Sequence, residues 1–422
     1  HTRSLCDWSS DVCSSDLVKA GVASDPFLLA GFAKRAVFLS HDGVAATTFT
    51  LEVDVKGDGQ WKTLCAVPMR ADDPSVWVEI TADEPGVWIR AKADRDLAKA
   101  SVAFQYAAQD GRGAARGELF KGLSQAGDAT SQGAFLLTRS ANLRTLAVLT
   151  ANLTPDQTVL GDVYELSADL KLTKMADQKG ADYFKRNTPI PEGIVTADAA
   201  SVIFEESGVR SRLPRSASAA QDGLLARSAL RKAREVCTER DLLQAHGTFY
   251  ELPALNAKGA IRMRPIATSD AAVHDYCSYR GLLVLSGVSP AAAKDDRHVI
   301  RSDDGKAAVW VGAADDLWQL GKPRGHGGPW LNTAVTKGAP SDPYLMTGYD
   351  KKTLTLRNHG AKAVRVSVLL DVAGDGRSTP YRVLEVPAGQ ELVHAFEPAL
   401  NAYWVRFVAD EDAVLSAQLT YE

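Results

Sequence analysis

Two stretches of the chain alternate apolar and polar residues with a period of two. Phe49, Leu51, Val53 and Val55 are interleaved with Thr50, Glu52 and Asp54. Val364, Val366, Val368, Leu370 and Val372 are interleaved with Arg365, Ser367 and Asp371. That period puts alternate side chains on opposite faces, so each stretch predicts a strand with one buried face. Both run into Gly-Asp-Gly, at 57–59 and 374–376, a turn that needs positive φ and has glycine to supply it. Further strands are predicted over 381–386, 391–396, 403–409 and 414–421. In the 403–409 strand Tyr403, Val405, Phe407 and Ala409 form an apolar face, matched earlier by Val87, Ile89, Ala91 and Ala93. Trp404 with Arg406, and Trp88 with Arg90, then point the other way. That second face either packs on a neighbouring domain or offers a flat platform for a sugar ring.

These patterns belong to a long internal repeat. Ser24-Asp25-Pro26-Phe27-Leu28-Leu29 returns 317 residues later as Ser341-Asp342-Pro343-Tyr344-Leu345-Met346, and 51–59 returns as 368–376. Trp88-Ile89-Arg90 returns as Trp404-Val405-Arg406, and 101–106 as 416–421. Two copies of one module therefore bracket a different middle segment. Short strands with turn signals at regular spacing predict an Ig-like or fibronectin-like β-sandwich for each copy. The expected division is 18–107 for the first sandwich, 108–335 for the middle segment and 336–422 for the second sandwich. Val18 to Gly21 matches Val335 to Gly338, from which the chain is expected to enter at the tail of a preceding unit. Residues 1–17 are set aside, because Cys6 to Leu17 resembles the translated read-through of a sequencing-library adapter.

The middle segment is rich in short strands. The apolar runs 143–150 and 279–286 read as central strands. Tyr164, Phe204, Tyr250 and Trp310 mark the strands that follow, at the spacing of four-stranded propeller blades. The expected fold class is thus all-β, a propeller-like blade domain flanked by two homologous sandwiches. Gln221 to Glu239, rich in Ala, Leu and Arg, is expected as a decorated loop or a short helix. The stretch Arg301-Ser302-Asp303-Asp304-Gly305-Lys306 through Trp310 resembles the Asp-box turn of sialidase-like propellers. The glycine directly follows the aspartate and the tryptophan falls two places late. The resemblance implies a turn-former and a fold, not catalysis. With Asp315 to Trp318 and Gly321 to Trp330 it is similar to bacterial multidomain proteins that combine propeller-like and sandwich domains, which implies architecture and no activity.

Composition narrows the function classes. The chain has 422 residues, with 48 Lys and Arg against 52 Asp and Glu, a net charge of −4. Mixed signs near neutrality leave no electrostatic footprint for nucleic acid, and no run of about 18 apolar residues predicts a membrane span. Beyond residue 17 the cysteines are Cys65, Cys237 and Cys277, too few and too widely spaced for a zinc site. They read as buried thiols, with a Cys237–Cys277 bridge as the alternative. The loop starting at Asp54 invites a calcium reading, which its ligand positions oppose: Lys56 and Ala373 stand at position 3, Cys65 and Arg382 at position 12. A hairpin turn is expected there, and no metal or cofactor is expected anywhere.

Candidate chemistry gathers between His246 and His326. Arg262 and Arg264 share a strand face by their spacing, and His274, Asp275 and Tyr276 precede Arg280. Arg forks suit a carboxylated sugar, and Tyr276 or Asp275 would act as nucleophile or base by resemblance to sialidases. Against this, adjacent His and Asp on a strand point to opposite sides. Trp318, His326 and Trp330, with Trp404 and Arg406, are the remaining ligand-binding candidates, and core or interface packing is the competing reading for the tryptophans. The sequence favours a non-catalytic recognition or scaffold protein, secreted or periplasmic, that binds polysaccharide or a protein surface. The alternative is a glycoside hydrolase or lyase with its site on the propeller-like domain.

Overall fold

The computed structural model of the chain describes residues 5–7, 18–81, 83–107, 110–138, 145–153, 158–187, 195–206, 208–225, 233–237, 240–254 and 259–422. It is all-β, with two homologous sandwiches flanking a blade-like middle. The first sandwich comprises β1 (Leu5–Asp7), β2 (Phe27–Leu28), β3 (Lys34–His41), β4 (Thr47–Asp54), β5 (Trp61–Met69), β6 (Ser75–Ile80), β7 (Trp88–Ala93) and β8 (Ala100–Ala107). These form two antiparallel sheets in the orders β1-β8-β3-β6 and β2-β7-β4-β5. Val37, Leu39, Phe49, Leu51, Val53, Ile89, Val102 and Phe104 fill the space between them, as the alternation predicts.

The middle begins with a meander of β9 (Phe135–Thr138), β10 (Leu146–Leu153), β11 (Thr158–Leu166) and β12 (Leu172–Lys174). Helix α1 (Gln178–Asn187) leads to β13 (Val195–Ala197), β14 (Val202–Glu206) and β15 (Val209–Leu213). Helix α2 (Ala220–Leu225) precedes a second four-stranded meander of β16 (Ala233–Cys237), β17 (Arg240–Ala245), β18 (Thr248–Leu252) and β19 (Arg264–Thr268). A third sheet holds β20 (Tyr276–Tyr279), β21 (Leu282–Leu285), β22 (Val299–Arg301) and β23 (Ala308–Gly312), in the order β20-β21-β23-β22. The first strands of these three sheets adjoin, with β20 packed against both β9 and β16. In each sheet the aromatic-marked strand pairs with a central apolar one: Tyr164 opposite Val148, Tyr250 opposite Leu243, Trp310 opposite Leu285. The stretch 221–239 divides between α2 and β16 where the sequence suggested one loop or helix. The Asp-box-like segment is a turn. Asp304 accepts from Ser302 Oγ at 2.6 Å and from the Lys306 amide at 3.0 Å, and Tyr164 Oη donates to it at 2.8 Å from the neighbouring sheet. Those donors hold its carboxyl down to about 2.

The second sandwich contains β24 (Gly325–Val335), β25 (Tyr344–Leu345), β26 (Lys352–Asn358), β27 (Val364–Asp371), β28 (Thr379–Val386), β29 (Glu391–Ala395), β30 (Trp404–Ala409) and β31 (Ala413–Tyr421). Its sheets run β24-β31-β26-β29 and β25-β30-β27-β28, the second lengthened to seven strands by β13-β14-β15. Strand β24, assigned to the middle segment from sequence, pairs with β31 of the sandwich. The duplication extends to single hydrogen bonds. Ser24 N–H donates to Ala91 O at 2.9 Å and Ser341 N–H to Phe407 O at 2.9 Å. Ser24 and Ser341 each accept, through Oγ, the amide of Ala91 or Phe407 at 3.1 Å.

The Gly-Asp-Gly turns curl around the aspartate that ends the preceding strand. Asp54 accepts amide hydrogens from Lys56, Gly57, Asp58 and Gly59, and Asp371 from Gly374, Asp375 and Gly376. The carboxylates are thereby engaged by the loop's own backbone. Burial pushes the Asp371 carboxyl up against those hydrogen bonds, whereas at Asp54 burial is outweighed and the carboxyl stays low.

The modules share interfaces. Strand β3 is buried on both faces: Val37 and Leu39 enter its own core, while Phe38, with Ala103 and Trp77, packs on the second sandwich. Lys34 Nζ pairs with Asp350 at 2.8 Å, and Lys322 of the middle segment reaches the same carboxylate at 3.3 Å. Leu243, Ala245, Tyr250 and Met263 join Tyr344, Tyr349 and Tyr421 in one core. Lys352 is buried beside them, its Nζ donating to Tyr349 O at 2.6 Å. Burial, with Lys34 nearby, brings its ammonium down to about 7.

Two outcomes follow from this packing. Asp371→Ala strands buried amide donors and is expected to lower unfolding stability by about 1–3 kcal/mol in urea titration. The Lys352 ammonium loses its proton more easily folded than unfolded. The unfolded chain therefore binds more protons between about pH 7 and the ordinary lysine value of about 10.4, and this group makes stability rise with pH across that window. The difference in urea midpoint between the parent and Lys352→Met should shift with pH over it; a pH-independent difference contradicts the assignment.

Candidate recognition face

Most residues expected to converge from sequence do not. Arg262 ends a 3₁₀ turn over Gly259–Arg262 and Arg264 opens β19, so the two share no strand face. Arg262 Nε donates to Gly374 O at 3.3 Å across a module interface, and Arg264 pairs with Glu251 at 3.2 Å. His274, Asp275 and Tyr276 are buried. His274 Nε2 lies 2.6 Å from Ser131 Oγ. Asp275 accepts the amides of Leu136 at 2.7 Å and Tyr276 at 2.9 Å, tying β20 to β9. Tyr276 donates its hydroxyl to Leu242 O at 2.7 Å and packs edge-on against Phe249. Arg280 sits in the exposed β20–β21 turn with φ 52°, at the far end of that strand from Asp275.

The remaining candidates separate too. Trp318 lies partly exposed on the 3₁₀ segment Ala314–Leu320, while Trp330 is buried against Phe407 inside the second sandwich. They form no joint aromatic surface. His326 is exposed, bridged through its backbone to Arg215. Partial desolvation of the ring beside its neighbours, with the Arg215 charge, holds its imidazolium below the usual range. Asp275, Asp304 and Asp316 are each bound to backbone amides rather than paired across a cleft, unlike the facing carboxyls a glycosidase requires. Cys237's side chain lies outside the described residues, and Cys277 is buried.

His246 has a triad-like setting that sequence did not reveal. Its Nε2 lies 3.1 Å from Asp222 and its Nδ1 3.1 Å from Ser216 Oγ. The same Nδ1 accepts the Ser216 amide at 2.9 Å. With that lone pair occupied, the ring is a poor base for the hydroxyl, and the set clamps the β17–β18 turn onto the segment after β15.

The two tryptophan–arginine pairs resolve differently. Trp404 is only 3% exposed, and its indole N–H donates to Ile261 O at 2.6 Å. Arg406 donates to Ser341 O at 2.8 Å, and burial lowers its guanidinium's proton affinity. This copy docks the middle segment and presents no platform, a correction to the sequence reading of Trp404 and Arg406 as ligand-binding residues. In the first sandwich the corresponding face is open. Trp88 is 36% exposed, and no described residue accepts from its indole N–H. Trp61 and Trp88 both stand opposite Asp54, on the strands to either side of it. Their Cα positions are thus two strand spacings apart, roughly 10 Å.

Arg90 lies 4.0 Å over the Trp61 ring, and its Nε donates to Glu52 at 2.7 Å. Lys92 donates to the other Glu52 oxygen at 2.6 Å. Burial of Glu52 works to raise its carboxyl, but Lys92 and Arg90 hold it below the usual carboxylate range. Leu28, opposite Trp88 on β2, completes the face. At the docked copy the positions of Trp61, Glu52 and Lys92 carry Ser378, Leu369 and Val408. The open copy therefore has a second aromatic and a fixed set of charges that the docked copy lacks. Sequence inspection passed over Trp61, although this exchange of neutral for charged and aromatic residues between copies was available as a signal.

No protein-family model matches the chain, and no curated protein sequence matches it. Among solved structures, the PBSX exported protein XepA is 8% identical over 96% of this chain and 84% of its own, with a TM-score of 0.19. A glycoside hydrolase family 32 protein from Bifidobacterium adolescentis is 9% identical over 94% and 98%, with a TM-score of 0.16. The tandem CBM22 domains of Xyn10C from Paenibacillus barcinonensis are 9% identical over 97% and 85%, also at 0.16. The fold is defined by the sheet pairings above. Among the described residues no helix is long and apolar enough to cross a membrane.

Removing one hydrogen bond distinguishes the two copies. Trp404→Phe is expected to cost about 1 kcal/mol in chemical denaturation, and Trp88→Phe to stay within about 0.5 kcal/mol of the parent.

Proposed function

We propose that the chain is a non-catalytic recognition protein acting outside the cytoplasm, and that the open face of its first sandwich binds a polysaccharide. The observation that carries this reading is the pair of tryptophans set about Asp54 on a flat sheet face, with the Glu52–Arg90–Lys92 cluster between β4 and β7. The apolar face of a pyranose ring packs on the Trp88 indole, whose N–H remains available to a hydroxyl. Arg90 is held over Trp61 by Glu52, so its remaining donors are oriented before a ligand arrives. Lys92 adds a further donor along the same row. A face kept only for protein docking has no need of Trp61 or of charges at 52 and 92, since the docked copy lacks all three. Asp275, Asp304 and Asp316 are held by backbone amides and lend the hydrolase reading no support.

Affinity electrophoresis against a panel of neutral and acidic polysaccharides provides the test. At least one polysaccharide is expected to retard the parent protein, and Trp61→Ala with Trp88→Ala should weaken that retardation at least about tenfold, the scale of 1.4 kcal/mol. Retardation unchanged in the double variant, or no retardation by any member of the panel, would sink the proposal. The exposure of Trp88 lets fold be checked independently by an unchanged denaturation midpoint.

A further inference from the structure

The Ser-Asp-Pro-aromatic-Leu motif occurs twice in the same backbone setting and is occupied once. In the second sandwich it leads into β25, which is not an edge. Strand β15 runs parallel to β25, with Arg212 opposite Tyr344. The Arg212 amide donates to Pro343 O at 2.8 Å, and its Nε donates to Asp342 at 2.8 Å. Arg210, two residues earlier on β15, reaches the same carboxylate at 3.2 Å. Tyr344 and Leu345 are fully buried under this contact.

The first copy keeps each receiving feature, and among the described residues nothing covers it. Ser24 fixes the backbone through the same two hydrogen bonds as Ser341. Strand β2 ends its sheet, so its outer side is an edge. Asp25, the counterpart of Asp342, is exposed and has no ion-pair partner among the described residues. Pro26 is exposed where Pro343 is buried, and Leu28 is 45% exposed where Leu345 is covered. An edge of this kind takes a strand by main-chain hydrogen bonds, and side groups set its specificity.

We propose that the β2 edge docks a parallel β-strand of a separate protein, one that carries arginines at alternate positions as β15 does. The carboxylate of Asp25 selects the arginine, and Leu28 receives the apolar residue beside it. This chain's own Arg210–Arg212 strand is engaged at β25, which is why the occupant comes from another polypeptide. The docking runs along the β2 edge and shares only Leu28 with the tryptophan face, so it stands apart from Trp61 and Trp88.

The probe is a peptide with the sequence of residues 201–215, end-to-end cyclised so that its hairpin is preorganised, fluorescently labelled and titrated with the whole chain. Saturable binding is expected. Asp25→Lys should weaken it at least about tenfold, as loss of a charge-assisted hydrogen bond implies. The same loss is expected when the arginine matching Arg212 is replaced by alanine in the peptide. Amide exchange at Leu28, whose N–H faces outward from β2, should slow when the peptide binds. The Trp61→Ala, Trp88→Ala variant should keep full peptide affinity, which separates this site from the polysaccharide face. Absence of saturable binding up to about 1 mM peptide, a level corresponding to about −4.1 kcal/mol, overturns the proposal. Equal affinity for Asp25→Lys does so as well.

Discussion

The contact on which the molecule's asymmetry depends is the parallel pairing of β15 with β25. It turns a four-stranded sandwich sheet into a seven-stranded one. It also buries an arginine between Asp342 and Asp198, where two carboxylates and Ser201 satisfy the guanidinium. A buried cation left without those partners costs several kcal/mol, so the hairpin and the sandwich edge hold each other in register. The 3₁₀ turn over Gly259–Arg262 closes on the same sandwich, and the Trp404 indole finds its acceptor there. Two like modules then face different surroundings, and their surface residues differ accordingly.

The same docking builds a polar–aromatic junction between the middle segment and the second sandwich. Tyr250 comes from the middle segment, while Tyr344, Tyr349 and Tyr421 come from the second sandwich, and all four are buried with their phenols pushed up by burial. Lys352 lies among them, and Asp350 just outside links Lys34 of the first sandwich with Lys322 of the middle. Lys352 finds its acceptor in Tyr349 O and the Tyr421 hydroxyl finds its own in Leu345 O, so any alternative packing that leaves these two without partners is penalised.

The expected chemistry between His246 and His326 failed for a physical reason. Histidine, aspartate, tyrosine and arginine also serve as ties between adjoining sheets, and a sequence does not separate the two uses. Asp275 binds the β9 backbone, Tyr276 reaches β17, and Arg262 crosses to the second sandwich. Arg262 and Arg264 looked like neighbours on one strand face, but the chain changes from a 3₁₀ turn to a strand between them. The Ser216–His246–Asp222 set illustrates the converse. Its residues come together only because the β17–β18 turn lies against the segment after β15, and the backbone amide of Ser216 takes the nitrogen that catalysis needs.

The period-two alternation in β4 and β27 and the returning Ser-Asp-Pro and Gly-Asp-Gly motifs were sufficient to determine two like sandwiches, because strand pairing and turn geometry are local and repeat wherever their residues repeat. The all-β character of the middle was legible for the same reason, although the Phe204 strand, read as a blade mark, joins the sheet of the second sandwich instead. Which copy of the tryptophan face is covered was decided only by tertiary structure. Trp88 and Trp404 occupy equivalent places in equivalent strands, and the difference between them is the arrival of Ile261 from a distant part of the chain. Exposure is a property of what packs on a residue, and no local pattern encodes it.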